Sequence, residues 1–240
     1  VCEFTMRDTL PTTYPHMLAF PLHMALITDP KFPFPAIGLV HIENSITQHR
    51  PVHVTEKLSL TVRATPLEAH AKGRKFSILT EARVGDELVW ESCSTNLRRG
   101  GGSSDGADGD KKASGNGGEK AASPADELPA ISEWRLPGDL GRQFAAVSGD
   151  RNPIHLYNIT AKAFGFPRAI AHGMWTKSRC VAALDGRLPD KHTVAVRFQR
   201  PILLPAKVNF AADSKSDSVA FAVRDARKGT PHLVGSVTAG

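Results

Sequence analysis

A chain of 240 residues with 41% hydrophobic content can bury a substantial core, either as two small domains or as one fused pair. Thirty Lys and Arg against 24 Asp and Glu leave a net charge of +6, so the surface favours anionic partners. Aromatic residues make up 7% of the chain, and there is no zinc-finger spacing and no ribonucleoprotein motif, which makes nucleic acid a poor candidate for that partner.

The first predicted element is a helix over residues 15–28. Its longest apolar stretch, residues 17–27, is interrupted by Pro21 and His23 and falls short of the roughly 20 residues a membrane span requires. Met17, Phe20 and Met24, with Phe32 and Phe34 beyond the helix, read either as plain core or as the lining of an apolar cavity. A strand over residues 45–52 leads through a turn into a second over 57–60, and further strands are predicted at 76–81 and 89–93 around a turn at Val84-Gly85-Asp86. Between residues 100 and 120 the composition collapses: eight of 21 residues are glycine, and the apolar ones are Ala107 and Ala113. A solvated linker follows from that composition. It divides the chain into a unit at 1–99, a linker at 100–127 and a unit at 128–240. No strand and helix flank these glycines in a phosphate-cradling pattern.

In the second unit, Ser148-Gly149-Asp150-Arg151-Asn152-Pro153-Ile154-His155 sets an acid and an imidazole five positions apart. Asn152 ahead of Pro153 favours a turn, because the residue before proline is pushed out of the helical region. Asp150 and His155 can then converge on one small volume and hold and deprotonate a water. The same letters are also ordinary loop chemistry, with glycine for unusual φ and Asp and Asn for side-chain turns. Downstream, an apolar run over 174–184 predicts a buried helix that begins at Gly173. Its first N–H groups would suit an oxygen that gains negative charge, or Gly173 is simply a tight entry into the helix. Strands are predicted at 196–202, 207–210, 219–224 and 233–237, with a turn at Arg227-Lys228-Gly229.

These last strands repeat the first set. Residues 196–202 and 207–210 parallel 45–52 and 57–60, with Gln48-His49-Arg50-Pro51 in one and Gln199-Arg200-Pro201 in the other; 219–224 parallels 76–81, and 233–237 parallels 89–93. An antiparallel sheet wrapped around one helix, made twice, is an α+β plan of double hot-dog type; the alternative is one large antiparallel sheet domain without duplication.

The stretch from Phe144 to His155 resembles the signature of the MaoC-like dehydratases, also called (R)-specific enoyl-CoA hydratases, and Ala171-His172-Gly173-Met174 resembles their second block. The resemblance extends across nearly the whole chain to two-repeat 3-hydroxyacyl-thioester dehydratases, including Phe32-Pro33-Phe34 and Pro201-Ile202-Leu203-Leu204-Pro205-Ala206. It implies reversible hydration of a trans-2-enoyl thioester to an (R)-3-hydroxyacyl thioester in fatty-acid metabolism, with no cofactor and no metal. Asp150 and His155 would hold the catalytic water, and the Gly173 N–H would hold the thioester oxygen. Asn152 would brace the turn and, with His172, stand near the substrate, while Ser148 and Gly149 would set turn geometry. The substrate would be an acyl-CoA or acyl-carrier-protein thioester, with Arg50, Arg197, Arg200 or Lys207 candidates for meeting its anionic carrier.

The two repeats differ. The first has no Asp-x-Asn-Pro-x-His equivalent, and the resemblance implies that it is degenerate, with a widened interior for an acyl chain. Only about 15 residues precede its helix, which suggests truncation at the N terminus. A hot-dog acyl-thioesterase and a non-catalytic acyl-thioester-binding subunit are the alternatives. Cys2, Cys93 and Cys180 are odd in number and unpaired in spacing, so a reducing compartment such as the cytoplasm is expected. Monomer and homodimer both fit a chain that carries its own pair of repeats.

Overall fold

The computed structural model describes residues 1–35, 38–99, 128–215 and 218–240, and the linker expected at 100–127 lies outside them. In chain order the elements are α1 (Tyr14–Thr28), β1 (Leu39–Gln48), β2 (Ser59–Ala64), β3 (Glu68–His70), β4 (Gly73–Val84), β5 (Glu87–Arg99), β6 (Ala130–Leu136), α2 (Leu140–Ser148), α3 (Pro153–Leu156), α4 (Asn158–Ala163), α5 (Gly173–Ala183), β7 (His192–Phe198), β8 (Ala206–Lys215), β9 (Ser218–Asp225) and β10 (Pro231–Ala239). Pro15 sits in the first turn of α1, where its missing N–H has no intrahelical partner to lose. Pro21 is tolerated inside the helix on its exposed side.

The strands form one antiparallel sheet in the order β2-β4-β5-β1-β7-β10-β9-β8-β6, with β3 also on β4. Two similar units are visible in that order: β1, β5, β4 and β2 run outward from the centre on one side, and β7, β10, β9 and β8 on the other. They meet where β1 pairs with β7, from Glu43 opposite Arg197 to Gln48 opposite His192. The β4–β5 and β9–β10 turns fall where expected, and Gly85 and Gly229 supply the positive φ of 58° and 65° that those turns need. The units are unequal. β6 adds a strand outside β8, and among the described residues no strand occupies the corresponding place beside β2. The architecture is α+β, in the double hot-dog arrangement.

Alternation along the strands explains the core. Ile46 on β1, Val194 and Val196 on β7, Phe210 on β8, Phe221 and Val223 on β9 and Val237 on β10 point to one face. There they meet Met174, Trp175, Cys180, Val181 and Leu184 of the α5 segment and Trp90 of β5 in a single cluster. Fully burying each large side chain contributes about 1.5–3 kcal/mol, so this shared cluster fixes α5 over the sheet. α1 is tied to it by polar links. The Trp90 indole N–H donates to Thr12 O at 2.7 Å, and Ser178 Oγ donates to Thr13 Oγ1 at 2.9 Å.

Helix α5 departs from the apolar reading of its sequence. Thr176, Lys177 and Ser178 are buried along with its apolar residues. Lys177 is fully buried under the helix, and its Nζ donates to Asn44 Oδ1 at 2.5 Å and to Val194 O at 2.9 Å, with Asn44 O a further contact at 3.3 Å. It thus spans the β1–β7 seam. Burial holds its amine well below the usual lysine range.

Candidate active site

The segment from α2 to α5 assembles the site through a chain of backbone constraints. α2 packs Leu140, Phe144, Ala145 and Ser148 inward and stops at Gly149, whose φ of 76° closes the helix with an N–H···O bond to Ala145. The turn then stabilises itself. The Asp150 N–H donates to Ser148 Oγ at 3.2 Å, the Asn152 N–H to Asp150 Oδ1 at 3.1 Å, and the Ile154 N–H to Asn152 Oδ1 at 3.4 Å. Asn152 is the N-cap of α3, with Pro153 in its first turn, so one residue both ends the turn and starts the helix. The structure therefore places a single helical turn where sequence suggested only a bend.

His155, on α3, is buried at 8% exposure. Its Nδ1 lies 2.8 Å from Ile170 O, and since a carbonyl only accepts, Nδ1 carries the proton and Nε2 keeps its lone pair. Burial lowers the His155 pKa, with Asp150 and the Ile170 hydrogen bond opposing, so the ring is neutral at pH 7. Asp150 is partly open, with its side chain 28% exposed. A carboxylate oxygen of Asp150 and one nitrogen each from His155 and His172 lie within 4.8 Å of one another, close enough for one water to touch two of them.

His172 completes the cluster from behind. Its Nε2–H donates to Asp150 O at 3.0 Å, and its ring stacks on His155 at 3.7 Å between centroids. It is 2% exposed, packs against Phe144, and burial pushes its pKa down to about 2. Its 3.8 Å approach to Asp150 Oδ2 is accordingly a contact of a neutral ring and not an ion pair. Three such residues could in principle ligate a metal, but these two rings are nearly parallel, tilted by 25°. Their in-plane lone pairs run side by side and do not meet within a metal–nitrogen bond of about 2 Å.

His172 is also the N-cap of α5, so Gly173 is the first helical residue and its N–H belongs to the unpaired first turn. A Cβ at Gly173 would lie 2.9 Å from the Phe198 ring, which closes the site on that side. The five expected residues, Asp150, Asn152, His155, His172 and Gly173, thus come together. Asn152 uses its side chain as a cap, and His172 acts as a support beneath His155.

Three residues that sequence reading passed over hold the site in place. A Cβ on Gly141 would overlap the His155 carbonyl, so the absence of a side chain there lets α2 lie against α3. Ile170 supplies the carbonyl that sets the His155 tautomer. The strap around it bonds to the loop at 201–205: the Ala171 N–H donates to Ile202 O at 2.9 Å, and the Leu204 N–H to Ala169 O at 2.8 Å. Phe198 is the third. A glycine inside the amphipathic pattern of α2 was the one available signal.

Of the basic residues expected to meet an anionic carrier, Arg50 is clamped between Glu56 and Glu87, and Arg197 pairs with Glu43 at 3.0 Å. Arg200 and Lys207 have no such carboxylate among the described ion pairs.

Comparison with known proteins identifies relatives of the chain. The family model described as MaoC like domain matches residues 130–235. Over 233 residues the chain is 38% identical to 3-hydroxyacyl-thioester dehydratase X of Mycobacterium tuberculosis, covering 96% of this chain and 79% of that protein. It is 27% identical over 179 residues to 3-hydroxyacyl-thioester dehydratase Y of the same organism, covering 70% of this chain and 59% of that one. The crystal structure of HtdX of Mycobacterium tuberculosis superposes with a TM-score of 0.84 at 34% identity, covering 100% of this chain and 91% of that chain.

Proposed function

The chain belongs to the MaoC-like dehydratases, and on that footing we propose that it interconverts trans-2-enoyl and (R)-3-hydroxyacyl thioesters as a hydro-lyase of fatty-acid metabolism, with Asp150, His155 and Gly173 as its catalytic residues. One observation carries the assignment of residues: the Ile170 carbonyl fixes the proton of His155 on Nδ1, which leaves the lone pair on Nε2 of a ring that has a nitrogen within 4.8 Å of an Asp150 carboxylate oxygen.

In the hydration direction a water held between Asp150 and His155 gives up a proton as its oxygen attacks carbon 3. Electron density moves through carbon 2 to the thioester oxygen. The Gly173 N–H, at the positive end of α5, meets that oxygen as it becomes an enolate, a contribution of about 3 kcal/mol for one well-placed donor. The proton returns to carbon 2, so the elements of water are added with none left over. His172 and Asn152 support the pair: the first packs under His155 and holds the Asp150 carbonyl, and the second braces the turn. The carrier is CoA or an acyl carrier protein, with Arg200 and Lys207 as its contacts, and the first unit, residues 1–99, is a degenerate repeat beside a catalytic unit at 128–240. Three unpaired cysteines suit a reducing compartment such as the cytoplasm. No helix among the described residues is long and apolar enough to cross a membrane. The protein works as a monomer or homodimer.

Crotonyl-CoA, followed by a medium-chain trans-2-enoyl-CoA, tests the proposal through loss of ultraviolet enoyl absorbance with free thiol measured in parallel. Absorbance loss without thiol release is the expected result. Thiol release would replace the hydratase with a thioesterase, and silence in both channels would leave a binding subunit.

A further inference from the structure

The inner face of α1 carries imidazoles where a plain acyl channel would carry only hydrocarbon. His16, Ala19 and His23 are buried on that face, and Phe20, next along it, lies 3.8 Å from the place of a Cβ on Gly149, beside Asp150. From the other side, the Phe198 ring that touches Gly173 lies 5.0 Å from the His41 ring. His41 stacks parallel to His16 at 6.4 Å, and His16 meets His23 edge-on at 5.0 Å. The row therefore begins one aromatic ring away from the catalytic helix start. A β-bulge between His41 and Glu43 shifts the register of β1 against β5 at this point.

His16 Nδ1 and His41 Nε2 are buried and have no hydrogen-bond partner. His23 Nε2 pairs with Thr80 Oγ1 at 2.8 Å. Burial holds His23 and His41 down at about 4 and His16 well below its usual value, so all three are neutral at pH 7. Lys177 is a basic group that acts on His16 and His41, but burial holds its amine down and its Nζ is already occupied by Asn44 and Val194. The row itself, neutral at pH 7, supplies no charge to hold an anionic group. One helical turn past His23 and four residues along β4 from Thr80, Leu26, Phe32, Leu67 and Phe76 line a largely apolar groove of about 440 Å³, to which Asp29 and Lys31 also contribute.

We propose that this row is a recognition site for a neutral oxygen on the acyl group, a hydroxyl or keto function a few carbons beyond the reacting double bond, with an apolar tail reaching toward Phe32 and Phe76. The proposal rests on the hydration reading and narrows its substrate class. A saturated chain lying along His16 and His41 leaves two buried polar atoms unmatched, whereas a hydroxyl or carbonyl pairs with a neutral imidazole that can donate or accept. A site built to hydrogen-bond a substrate oxygen discriminates strongly against the analogue that lacks it.

The test compares trans-2-decenoyl-CoA with analogues of the same length carrying one hydroxyl or keto group at carbon 5, 7 or 9. For at least one analogue kcat/KM should exceed that of the plain chain by tenfold or more. In His16→Leu and His41→Leu that ratio should fall toward one, while His16→Gln, which keeps a donor and acceptor, should retain most of it. Equal kcat/KM for plain and oxygenated chains in the wild-type protein overturns the proposal and leaves the hydratase standing. Hydration of none of the chains overturns both. The wild-type ratio decides the matter even where a leucine variant does not fold.

Discussion

Gly141→Ala separates local propensity from the demands of this site. In an ordinary helix interior the change stabilises by about 1 kcal/mol, because alanine loses less backbone entropy on folding. Here the new methyl would overlap the His155 carbonyl oxygen and crowd its carbonyl carbon at 2.8 Å. Backbone cannot rotate away as a side chain can, so α2 and α3 must separate by about 1.5 Å to restore van der Waals contact. Overpacking of that kind costs about 1–3 kcal/mol, which outweighs the propensity gain and reverses its sign. A displacement of about 1 Å at a catalytic group lowers turnover on the order of a hundredfold. Urea unfolding and enoyl-CoA hydration kinetics on the same preparation give both numbers. An alanine variant that is more stable than wild type and hydrates at a near-normal rate would refute the packing argument and the role of α2 in placing His155.

Asp150→Asn and His155→Gln should each lower kcat by several orders of magnitude while leaving the thermal unfolding midpoint within a few degrees; near-normal turnover in either would remove that residue from the chemistry. Stability should fall on acidification well before most carboxylates titrate. His16, His23, His41 and His172 have folded pKa values below the unfolded 6.5, so their contribution is fully present above about pH 6.5 and lost as pH falls through the window beneath it. At pH 5 each adds about 2 kcal/mol to the cost of staying folded. Urea midpoints that stay flat from pH 7 to 5 would contradict this burial. Lys177→Met should raise stability at pH 7 by about 1–2 kcal/mol, because it removes a buried amine at the expense of hydrogen bonds to Asn44 and Val194. The gain should shrink as pH approaches 10, where the unfolded lysine also becomes neutral; a variant less stable than wild type at pH 7 would show that those bonds outweigh the burial.

Sequence exposed the parts of this molecule that follow a period or a fixed turn. Both long helices, eight of the strands and the two glycine turns were legible from alternation and apolar runs, and the Asp150 to His155 turn from proline geometry. Strands β3 and β6 and helices α2, α3 and α4 were not, since short elements carry few periods to count. Buried polar residues were hidden for a different reason. Lys177, His16 and His41 look like solvent-facing positions, and only the tertiary fold shows that carbonyls and other rings surround them. Where His41 lies cannot be read from strand alternation, because one extra residue in β1 interrupts the period that such a reading assumes. Gly141 and Ile170 act through backbone atoms, which leave almost no trace in residue type.

The ladder between β1 and β7 has a consequence for how such a protein can change. Two identical subunits joined across that seam would carry every substitution twice, so a histidine added to one helix would also appear in the other, against its own catalytic turn. Joined within one chain, each side mutates alone. α1 can take on His16 and His23 while α5 keeps the residues its own position needs, and specificity is free to drift on one flank of the seam without disturbing the chemistry on the other.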